Sequence, residues 1–391
     1  MDFSLSDEQS LLRDSVERFV RDDYGFAARQ ALVKSELGYS RAHWKTYAEL
    51  GWLGVPFAER DGGFGGGPIE TMLIMEQFGR GLVVEPYVAT VVLAGGLIRT
   101  LAKKSQRERL LAPIIDGSRQ AAFAYAEPQG RFNLADLTTR AEKDGDAFRL
   151  SGQKCVVLNG PSADVLLVSA RTSGGQRAAS GVSVFVVDAS AAGVSRRNYP
   201  TVDGARASEI AFDGVRLDKD ALLGRLGRAL PAIEQTVDEA ILAIGAEAVG
   251  CMEVLYKATV EYCKTREQFG QPIGKFQVLQ HRMVDMFIEY EQAKSMMFMA
   301  AMRLAEGYGD QAKRAISAFK VQVGKSGRFV GQNAVQLHGG MGMTDELNVG
   351  HYFKRLTIVD TLFGNVDFHL KRFGALAPAH PQGVPTTAPA A

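Results

Sequence analysis

Apolar residues recur at helical spacing over roughly the first 120 residues. Val16 and Phe19 belong to such a stripe, which follows Ser6-Asp-Glu-Gln9, a sequence typical of a capping box. The same spacing predicts helices from Ile69 to Phe78 and from Pro86 to Leu101, where proline suits a first helical turn. We therefore expect residues 1–120 to form a helical domain.

The hydrophobic period changes between residues 121 and 225. Short runs rich in β-branched residues alternate there with turn sequences such as Asn159-Gly160 and Asp213-Gly214. The apolar runs are Phe148-Arg-Leu150, Lys154-Cys-Val-Val-Leu158, Val165-Leu-Leu-Val168, Val182-Ser-Val-Phe-Val-Val187 and Glu209-Ile-Ala-Phe212. This pattern predicts an antiparallel β unit.

Long helical stripes return over residues 226–374. One apolar face runs from Ile233 to Leu255, and further helices are predicted from Gln277 to Glu306 and from Gln311 to about Leu337. Residues 375–391, rich in Pro and Ala, are predicted to be a disordered tail. The fold class predicted from these periods is α+β, mostly α.

Composition excludes several classes of function. The formal charge of +1, from 45 basic and 44 acidic residues, gives no global attraction to nucleic acid or anionic membranes. No apolar run is long enough for a membrane span. The acidic start of the chain lacks a signal-peptide layout, and three scattered cysteines suit a reducing compartment, so we expect a cytoplasmic protein. Six dispersed histidines predict no metal site.

Three glycines, Gly339, Gly340 and Gly342, directly follow a predicted helix. They suit a helix C-cap and turn, or a backbone that a phosphate or a flat ring approaches closely. The glycines alone leave both interpretations open.

The order of motifs along the chain resembles that of the acyl-CoA dehydrogenases. The resemblance covers the chain to about residue 374 and is carried by Trp52-Leu-Gly54, Ala126-Glu-Pro128, Leu150-Ser-Gly-Gln-Lys154, Phe212-Asp-Gly-Val215, Arg266-Glu-Gln-Phe-Gly270 and Ala334-Val-Gln-Leu-His-Gly-Gly-Met-Gly342. It implies an N-terminal helical domain (1–120), a middle antiparallel β domain (121–225) and a C-terminal four-helix bundle (226–374). It also implies FAD as cofactor and desaturation of an acyl-CoA thioester between Cα and Cβ.

The resemblance assigns contacts to both ends of FAD. At the dinucleotide end it places Arg266 on the pyrophosphate, which suits a planar, permanently charged guanidinium, and Phe269 beside the adenine. Neighbouring contact positions there are Gln268, Ile273, Phe276, Gln277, Gln336, Gly339 and Gly340. At the ring end it places Val156, Leu158 and Asn365.

The ring end departs from the family pattern. Members typically show Thr-Glu-Pro-x-Ala-Gly-Ser-Asp where this chain has Ala126-Glu-Pro-Gln-Gly-Arg-Phe-Asn133, and Trp-Ile-Thr-Asn where it has Val156-Val-Leu-Asn159. Valine and leucine side chains cannot donate a hydrogen bond to flavin N5. One means of tuning the cofactor is therefore missing.

The catalytic base of the family is also replaced. The position of the usual glutamate, before a glycine, is Phe363, and a second position used in some branches is Ala240. Glu239 and Asp238 are candidates for the role of catalytic base, and Glu247, two turns further along the helix, is another. The alternative is that all three carboxylates are solvated or belong to structural ion pairs. Ile241 stands where members often carry an Arg for CoA, and Arg131 and Lys154 are alternative CoA contacts.

One arrangement explains an intact dinucleotide end beside a lost base. The chain resembles the small subunits of heteromeric acyl-CoA dehydrogenases of the pimeloyl-CoA type, which lend half of the FAD site to an unlike partner. The alternatives are a self-sufficient homo-oligomer using Glu239 or Asp238, a catalytically silent scaffold, and a flavin oxidase on the same fold. The resemblance implies an electron-transfer flavoprotein or a similar electron acceptor.

Overall fold

The N-terminal part is helical in the computed structural model, which describes residues 4–376. Its helices are α1 (Asp7–Asp23), α2 (Phe26–Lys34), α3 (Arg41–Glu49), α4 (Pro68–Gly81), α5 (Gly96–Leu101) and α6 (Lys104–Ile115). Ser6 and Gln9 form the predicted reciprocal capping box at the start of α1. The predicted helix from Ile69 to Phe78 corresponds to α4.

The helix predicted from Pro86 to Leu101 differs from the expectation. Residues Val88–Gly95 adopt π-helical turns, and the regular α-helix begins only at Gly96. Every residue from Ala89 to Gly95 is buried, and a Cβ at Gly95 would meet the Phe57 ring. Apolar spacing does not separate an i→i+5 from an i→i+4 pattern in a segment buried on all sides, so the sequence could not reveal the wider turns.

One eight-stranded sheet forms the middle of the chain. Its strands are β1 (Ala121–Ala124), β2 (Arg140–Asp144), β3 (Ala147–Leu158), β4 (Val165–Arg171), β5 (Val182–Asp188), β6 (Val194–Pro200), β7 (Arg206–Leu217) and β8 (Leu222–Leu223). They lie in the order β6-β7-β3-β2-β4-β5-β8, with β1 beside β4. The pairing is antiparallel except that β1 runs parallel to β4 and β2 meets β4 in parallel at one pair.

Several strands differ from the predicted runs, and β1, β2 and β8 correspond to none of them. The runs at Phe148 and Lys154 belong to one strand, β3, whose pairing with β7 shifts register between Lys154 and Val157. Strand β6 was not predicted, because its sequence Val-Ser-Arg-Arg-Asn-Tyr-Pro lies mostly exposed at the sheet edge and shows no apolar alternation.

The C-terminal part is a bundle of long helices. Its elements are α7 (Leu230–Thr265), the hairpin β9 (Glu267–Gln268) with β10 (Gln271–Pro272), α8 (Gln277–Ala305), α9 (Asp310–His338), α10 (Val349–Thr361) and α11 (Val366–Ala375). Helix α7 also packs closely on α4, where a Cβ at Gly79 or Gly250 would collide with the backbone of the facing helix. The predicted fold class, α+β and mostly helical, is confirmed.

Within residues 4–376, no helix combines the length and apolarity that a membrane crossing requires. The same residues contain no cluster of three or more His, Cys, Asp or Glu side chains that could hold a metal ion. The predicted disordered tail falls, apart from Ala375 and Leu376, outside the described residues.

Candidate functional site

Two cavities lie along α7 where the three parts of the chain meet. We call them the Phe363 cavity, of about 500 Å³, and the Ile244 cavity, of about 180 Å³. Val237 and Ile241 line the first, while Ile244, one turn further along α7, lines the second. The consecutive residues Leu362 and Phe363 line the Ile244 and Phe363 cavities respectively. The turn after α10 therefore separates the two spaces.

Phe363, at the position of the family's base, is held firmly in this turn. It is buried, its φ of 58° is left-handed, and its ring stacks on Tyr125 with centroids 6.2 Å apart. His369 Nε2 donates to the Phe363 carbonyl at 3.0 Å, and Lys320 Nζ donates to the carbonyl of Val359 at 2.6 Å. These contacts position a benzyl ring, which accepts no proton, against the Phe363 cavity.

Asp238 lines the Phe363 cavity, but it is fully engaged. Both carboxylate oxygens accept from the Arg372 guanidinium at 2.6 Å, and Tyr308 Oη donates to Oδ2 at 2.9 Å. Burial and the Asp238 charge raise the pKa of Tyr308, so the phenol stays protonated as a donor. Asp238 therefore has the geometry of a structural ion pair, which is the alternative to a catalytic base that the sequence left open.

The other candidate carboxylates lie elsewhere. Glu239 accepts from Arg99 at 2.5 Å and lines a separate small cavity beside the N-terminal helices. Glu247 lines the Ile244 cavity and accepts both of its hydrogen bonds from Arg355 at 2.6 Å. Neither of them lines the Phe363 cavity, in agreement with the 100° rotation per residue around α7.

Strained backbone is concentrated at these cavities. Among residues 4–376, six residues other than glycine have positive φ, and five of them line one of the two cavities: Leu82, Arg131, Val156, Asn159 and Phe363. The sixth is Phe269, a predicted adenine contact. A left-handed conformation disfavours bulky side chains, above all the β-branched Val156, and such strain gathers at functional sites. Among the described residues, left-handed backbone outside glycine is thus concentrated at the two cavities.

At the ring end of the predicted FAD site, two of the three predicted contacts have apolar side chains. Val156 and Leu158 line the Ile244 cavity and provide no hydrogen-bond donor to a flavin ring. Asn365 caps α11, where its side-chain oxygen accepts from the Phe368 amide at 3.0 Å. Ring contacts by Val156, Leu158 and Asn365 stay predictions, and of these three side chains only that of Asn365 contains a hydrogen-bond donor.

At the dinucleotide end, the predicted contacts are exposed on the β9–β10 hairpin. Arg266 directly follows α7, and the Phe269 side chain is 91% exposed, touching the Phe276 ring edge-on at 6.1 Å between centroids. Gln268 is exposed beside it, and Ile273 donates its amide to the Arg266 carbonyl at 2.8 Å. Gln277 begins α8 directly after Phe276. A guanidinium and a free aromatic face therefore lie together on the surface.

The glycine loop lies beside the end of the same helix. The Tyr262 ring, four residues before Arg266, stacks on His338 with centroids 4.4 Å apart, and His338 ends α9. Gln336 lies in the last turn of α9, and a Cβ built at Gly339 or Gly340 would meet no atom within 4 Å. The glycine loop therefore ends α9, and no other described part of the chain covers its backbone at Gly339 and Gly340. These features fit the pyrophosphate and adenosine of FAD, whereas at the ring end Val156 and Leu158 provide no donor and Phe363 provides no base.

Lys154 corrects one expectation. Its ammonium is buried and donates to Glu127 Oε1 at 2.7 Å and to Ser169 Oγ at 3.2 Å, so it is not available to contact CoA. Burial alone would raise the pKa of Glu127, but the Lys154 charge and Thr138 outweigh it and hold that pKa at about 2. The other alternative, Arg131, is exposed at the Phe363 cavity and stays a prediction.

Several cavity residues escaped sequence reasoning. Tyr125, Arg372 and the pair Glu234–Lys313, with 3.7 Å between its charged atoms, line the Phe363 cavity. None of them stands in a recognisable motif, and Arg372 lies 134 residues from its partner Asp238. Only the fold brings them together.

Each of the three parts of the chain matches a known family of protein domains. The family descriptions "Acyl-CoA dehydrogenase, N-terminal domain", "Acyl-CoA dehydrogenase, middle domain" and "Acyl-CoA dehydrogenase, C-terminal domain" match residues 6–118, 122–215 and 228–375. The chain is 29% identical over 354 residues to the probable acyl-CoA dehydrogenase YngJ of Bacillus subtilis, covering 89% of this chain and 92% of that protein.

Two similar solved structures carry paired names. The ChsE4-ChsE5 complex from Mycobacterium tuberculosis has a TM-score of 0.87 and 26% identity, covering 97% of this chain and 100% of the matched chain. A variant of the Tcur3481-Tcur3483 steroid ACAD has a TM-score of 0.85 and 30% identity, covering 95% of this chain and 98% of the matched chain.

Proposed function

Because the chain belongs to the acyl-CoA dehydrogenase family of FAD-dependent oxidoreductases, we propose that it acts as one subunit of a heteromeric acyl-CoA dehydrogenase. In this role it supplies the adenosine and pyrophosphate half of an FAD site to a second, dehydrogenase-like chain. That partner contributes the base, and the complex desaturates an acyl-CoA thioester between Cα and Cβ.

The observation that carries the proposal is the state of the carboxylates around Phe363. The two acidic residues among those lining the Phe363 cavity are Asp238 and Glu234, and both are paired, with Arg372 and Lys313. A buried carboxylate held by a bidentate guanidinium is a poor proton acceptor, since that contact stabilises its charged form. The lining of the cavity thus provides no free carboxylate where the family chemistry needs a base, and its one imidazole, that of His369, is a weak base because burial lowers its pKa to about 4.

At the dinucleotide end, unlike at the Phe363 cavity, the residues suit the role that the family pattern gives them. When bound, FAD accepts the hydride that leaves Cβ of the substrate. For that cofactor, the Arg266 guanidinium would neutralise the pyrophosphate, the exposed Phe269 ring would cover the adenine, and the open backbone at Gly339 and Gly340 would admit phosphate oxygens. The exposure of Phe269 supports binding that is completed by a second chain.

The remaining parts of the proposal follow from the comparisons and the cysteines. Two of the similar structures bear the names of paired proteins, which supports a heteromeric assembly here. An electron-transfer flavoprotein is the proposed electron acceptor, and a cytoplasmic location is supported by three unpaired thiols, Cys155, Cys251 and Cys263.

A second candidate is a self-sufficient homo-oligomer with Asp238 as base. It is favoured by one observation, the position of Asp238 on the Phe363 cavity, and requires the Arg372 pair to open. It predicts that the isolated chain binds FAD fully and that Asp238→Asn abolishes flavin reduction while the fold is unchanged.

The experiment is to search the neighbouring reading frames for a second dehydrogenase-like chain with an acid at the position equivalent to Phe363 or Ala240, and to co-express it with this chain, followed by gel filtration with flavin absorption. We expect a mixed complex that contains FAD, and we expect Arg266→Met to lower its flavin content. The matched control is Arg282→Met, an exposed arginine on α8 to which no cofactor role is assigned. A mixed complex whose flavin content is unaffected by Arg266→Met would contradict the proposal.

A further inference from the structure

A further cavity lies where α2, the turn between β6 and β7, and α10 meet. It has a volume of about 250 Å³, and we call it the Lys354 cavity. Arg29 and Lys34 of α2 line it, together with Arg206 at the start of β7 and Lys354 of α10. The N-terminal, middle and C-terminal parts of the chain therefore each contribute a cation to one concave site.

The lining of the Lys354 cavity contains more cations than carboxylates. Its charged residues are Arg29, Lys34, Arg206, Lys354, Asp203 and Asp345. Four positive against two negative charges leave an excess of +2. The neighbouring pair of Arg355 and Glu247, which holds Asp203, is neutral as a whole and leaves this excess unchanged. His351 also lines the cavity but adds no charge at neutral pH, because burial lowers the pKa of its imidazole below the ordinary value of 6.5.

Three of the four cations have no ion-pair partner among residues 4–376. The exception is Lys354, whose Nζ lies 4.0 Å from the Asp345 carboxylate. Arg29 and Arg206 donate to backbone carbonyls, and Arg29 also contacts the His351 ring, so their partners orient the guanidinium groups without neutralising them. Arg29 is 2% exposed, and burial lowers the pKa of its guanidinium because its surroundings do not offset the lost hydration. A buried cation without a carboxylate is costly, so an anion nearby would be stabilising.

Two lysine ammonium groups are accessible to a ligand. Lys34 is exposed and forms no hydrogen bond or ion pair with any other described residue. The Lys354 side chain is 43% exposed and has only its 4.0 Å contact with Asp345. Each ammonium offers three N–H donors. The Asp203 carboxylate, by contrast, is 1% exposed and held by Arg355, so it is out of reach of a ligand.

The excess charge and the volume together favour one class of ligand. A phosphomonoester carries about −1.5 to −2 charges at pH 7 and has three strong acceptor oxygens, so it matches an excess of +2 better than a monocarboxylate does. The cavity of about 250 Å³ is larger than one of roughly 150 Å³ that holds benzene, so it has room for a phosphate group and a small attached body.

We propose that the Lys354 cavity binds a phosphate group, either as inorganic phosphate or as part of a small phosphomonoester. The ammonium groups of Lys34 and Lys354 donate to the phosphate oxygens, and the charges of Arg29 and Arg206 add to the attraction. These residues have no part in the function proposed above, whose anion site lies at Arg266 and the glycine loop. Each proposal can therefore fail without the other.

The first test is calorimetric titration of the purified chain, at neutral pH and low ionic strength, with inorganic phosphate, glycerol 1-phosphate, glycerol and acetate. We expect both phosphates to bind and glycerol not to bind, and we expect acetate to bind about tenfold more weakly or less, because its charge is about half as large. Tighter binding of glycerol 1-phosphate than of phosphate identifies a phosphomonoester as the ligand, and equal or weaker binding identifies free phosphate. Equal affinity for acetate, or no binding of either phosphate, overturns the proposal.

Lysine variants locate the bound phosphate. Lys34→Gln and Lys354→Gln are each expected to weaken phosphate binding about tenfold, the effect of losing one hydrogen bond to a charged group. The matched control is Lys325→Gln, an exposed lysine on α9 outside the cavity, and Arg266→Met tests the dinucleotide end as an alternative site. Both controls should leave phosphate binding unchanged. Unchanged binding in both cavity variants, or an equal loss in either control, contradicts the assignment.

A variant that gains affinity completes the test. Asp345→Asn removes the one exposed carboxylate of the lining and its contact with Lys354, so phosphate should bind about threefold more tightly. Loss of folding cannot mimic such a gain, so this variant decides the matter even if circular dichroism shows that a lysine variant does not fold. Unchanged or weaker binding by folded Asp345→Asn contradicts the proposal.

Discussion

Asp238→Asn separates a structural ion pair from a catalytic base. The substitution keeps the shape of the side chain but removes the charge that two 2.6 Å bonds from Arg372 satisfy. Breaking a buried pair costs about 3–5 kcal/mol, because the remaining charge is left uncompensated. The Arg372 side chain is 22% exposed, so hydration lowers the expected loss to about 2–4 kcal/mol.

Thermal unfolding measures this loss. With an unfolding entropy of about 2.1 cal/mol/K per residue, a change of 1 kcal/mol shifts the Tm of a chain of 391 residues by roughly 1.2 °C, so the Asp238 variant should unfold about 2–5 °C below the wild type. The adjacent Glu239→Gln is the matched control, since the Arg99–Glu239 pair is more exposed and should contribute no more than about 1 kcal/mol. An unchanged Tm combined with loss of flavin reduction in the Asp238 variant would refute the interpretation of Asp238 as a structural ion and would indicate a catalytic base.

The remaining predictions concern the base, acid stability, helix packing and the cofactor. Phe363→Glu restores a proton acceptor, but because the isolated chain supplies only half of the FAD site, this variant alone should still show no acyl-CoA-dependent flavin bleaching; a loss of absorption at 450 nm would contradict this. The pKa of Glu127 is about 2, below its ordinary value of 4.5, so its contribution to stability is complete above pH 4.5 and is lost as the pH falls towards 2; Tm should fall over that window less steeply in Glu127→Gln. Gly79→Ala, by forcing α4 away from the Glu247 carbonyl, should cost roughly 1–3 kcal/mol in chemical denaturation, and a neutral effect would refute the close contact. Arg266→Met should lower FAD retention by the mixed complex without lowering Tm by more than about 1 °C, as its guanidinium is exposed.

The sequence was most informative where the pattern is long and local. The apolar stripes from Ile233 to Leu255 and from Gln311 to about Leu337 are many turns long, so their 3.6-residue period could hardly arise from another structure, and both lie in the observed helices α7 and α9. The family motifs also predicted the order of the three parts along the chain, which is helical, then β, then helical. The strands β1, β2, β6 and β8 and the π-helical turns at Val88–Gly95 were missed, because none of them produces a distinctive period.

The site was predicted less completely, for a physical reason. Whether a carboxylate is a base or a structural ion depends on its partners, and those of Asp238 and Glu239 lie 134 and 140 residues away in the chain. Likewise, Lys154 looks like a mobile cation in sequence, and only the fold shows it buried against Glu127. Positive φ at Val156 and Phe363 is equally invisible in the sequence, because both residue types normally avoid it.

The flavin content of the isolated chain tests the central claim most directly. The chain is purified without a partner, incubated with excess FAD, desalted, and titrated anaerobically with an acyl-CoA while absorbance at 450 nm is followed. The account predicts much less than one FAD per chain and no bleaching. One tightly bound FAD per chain that is reduced by the thioester would contradict it.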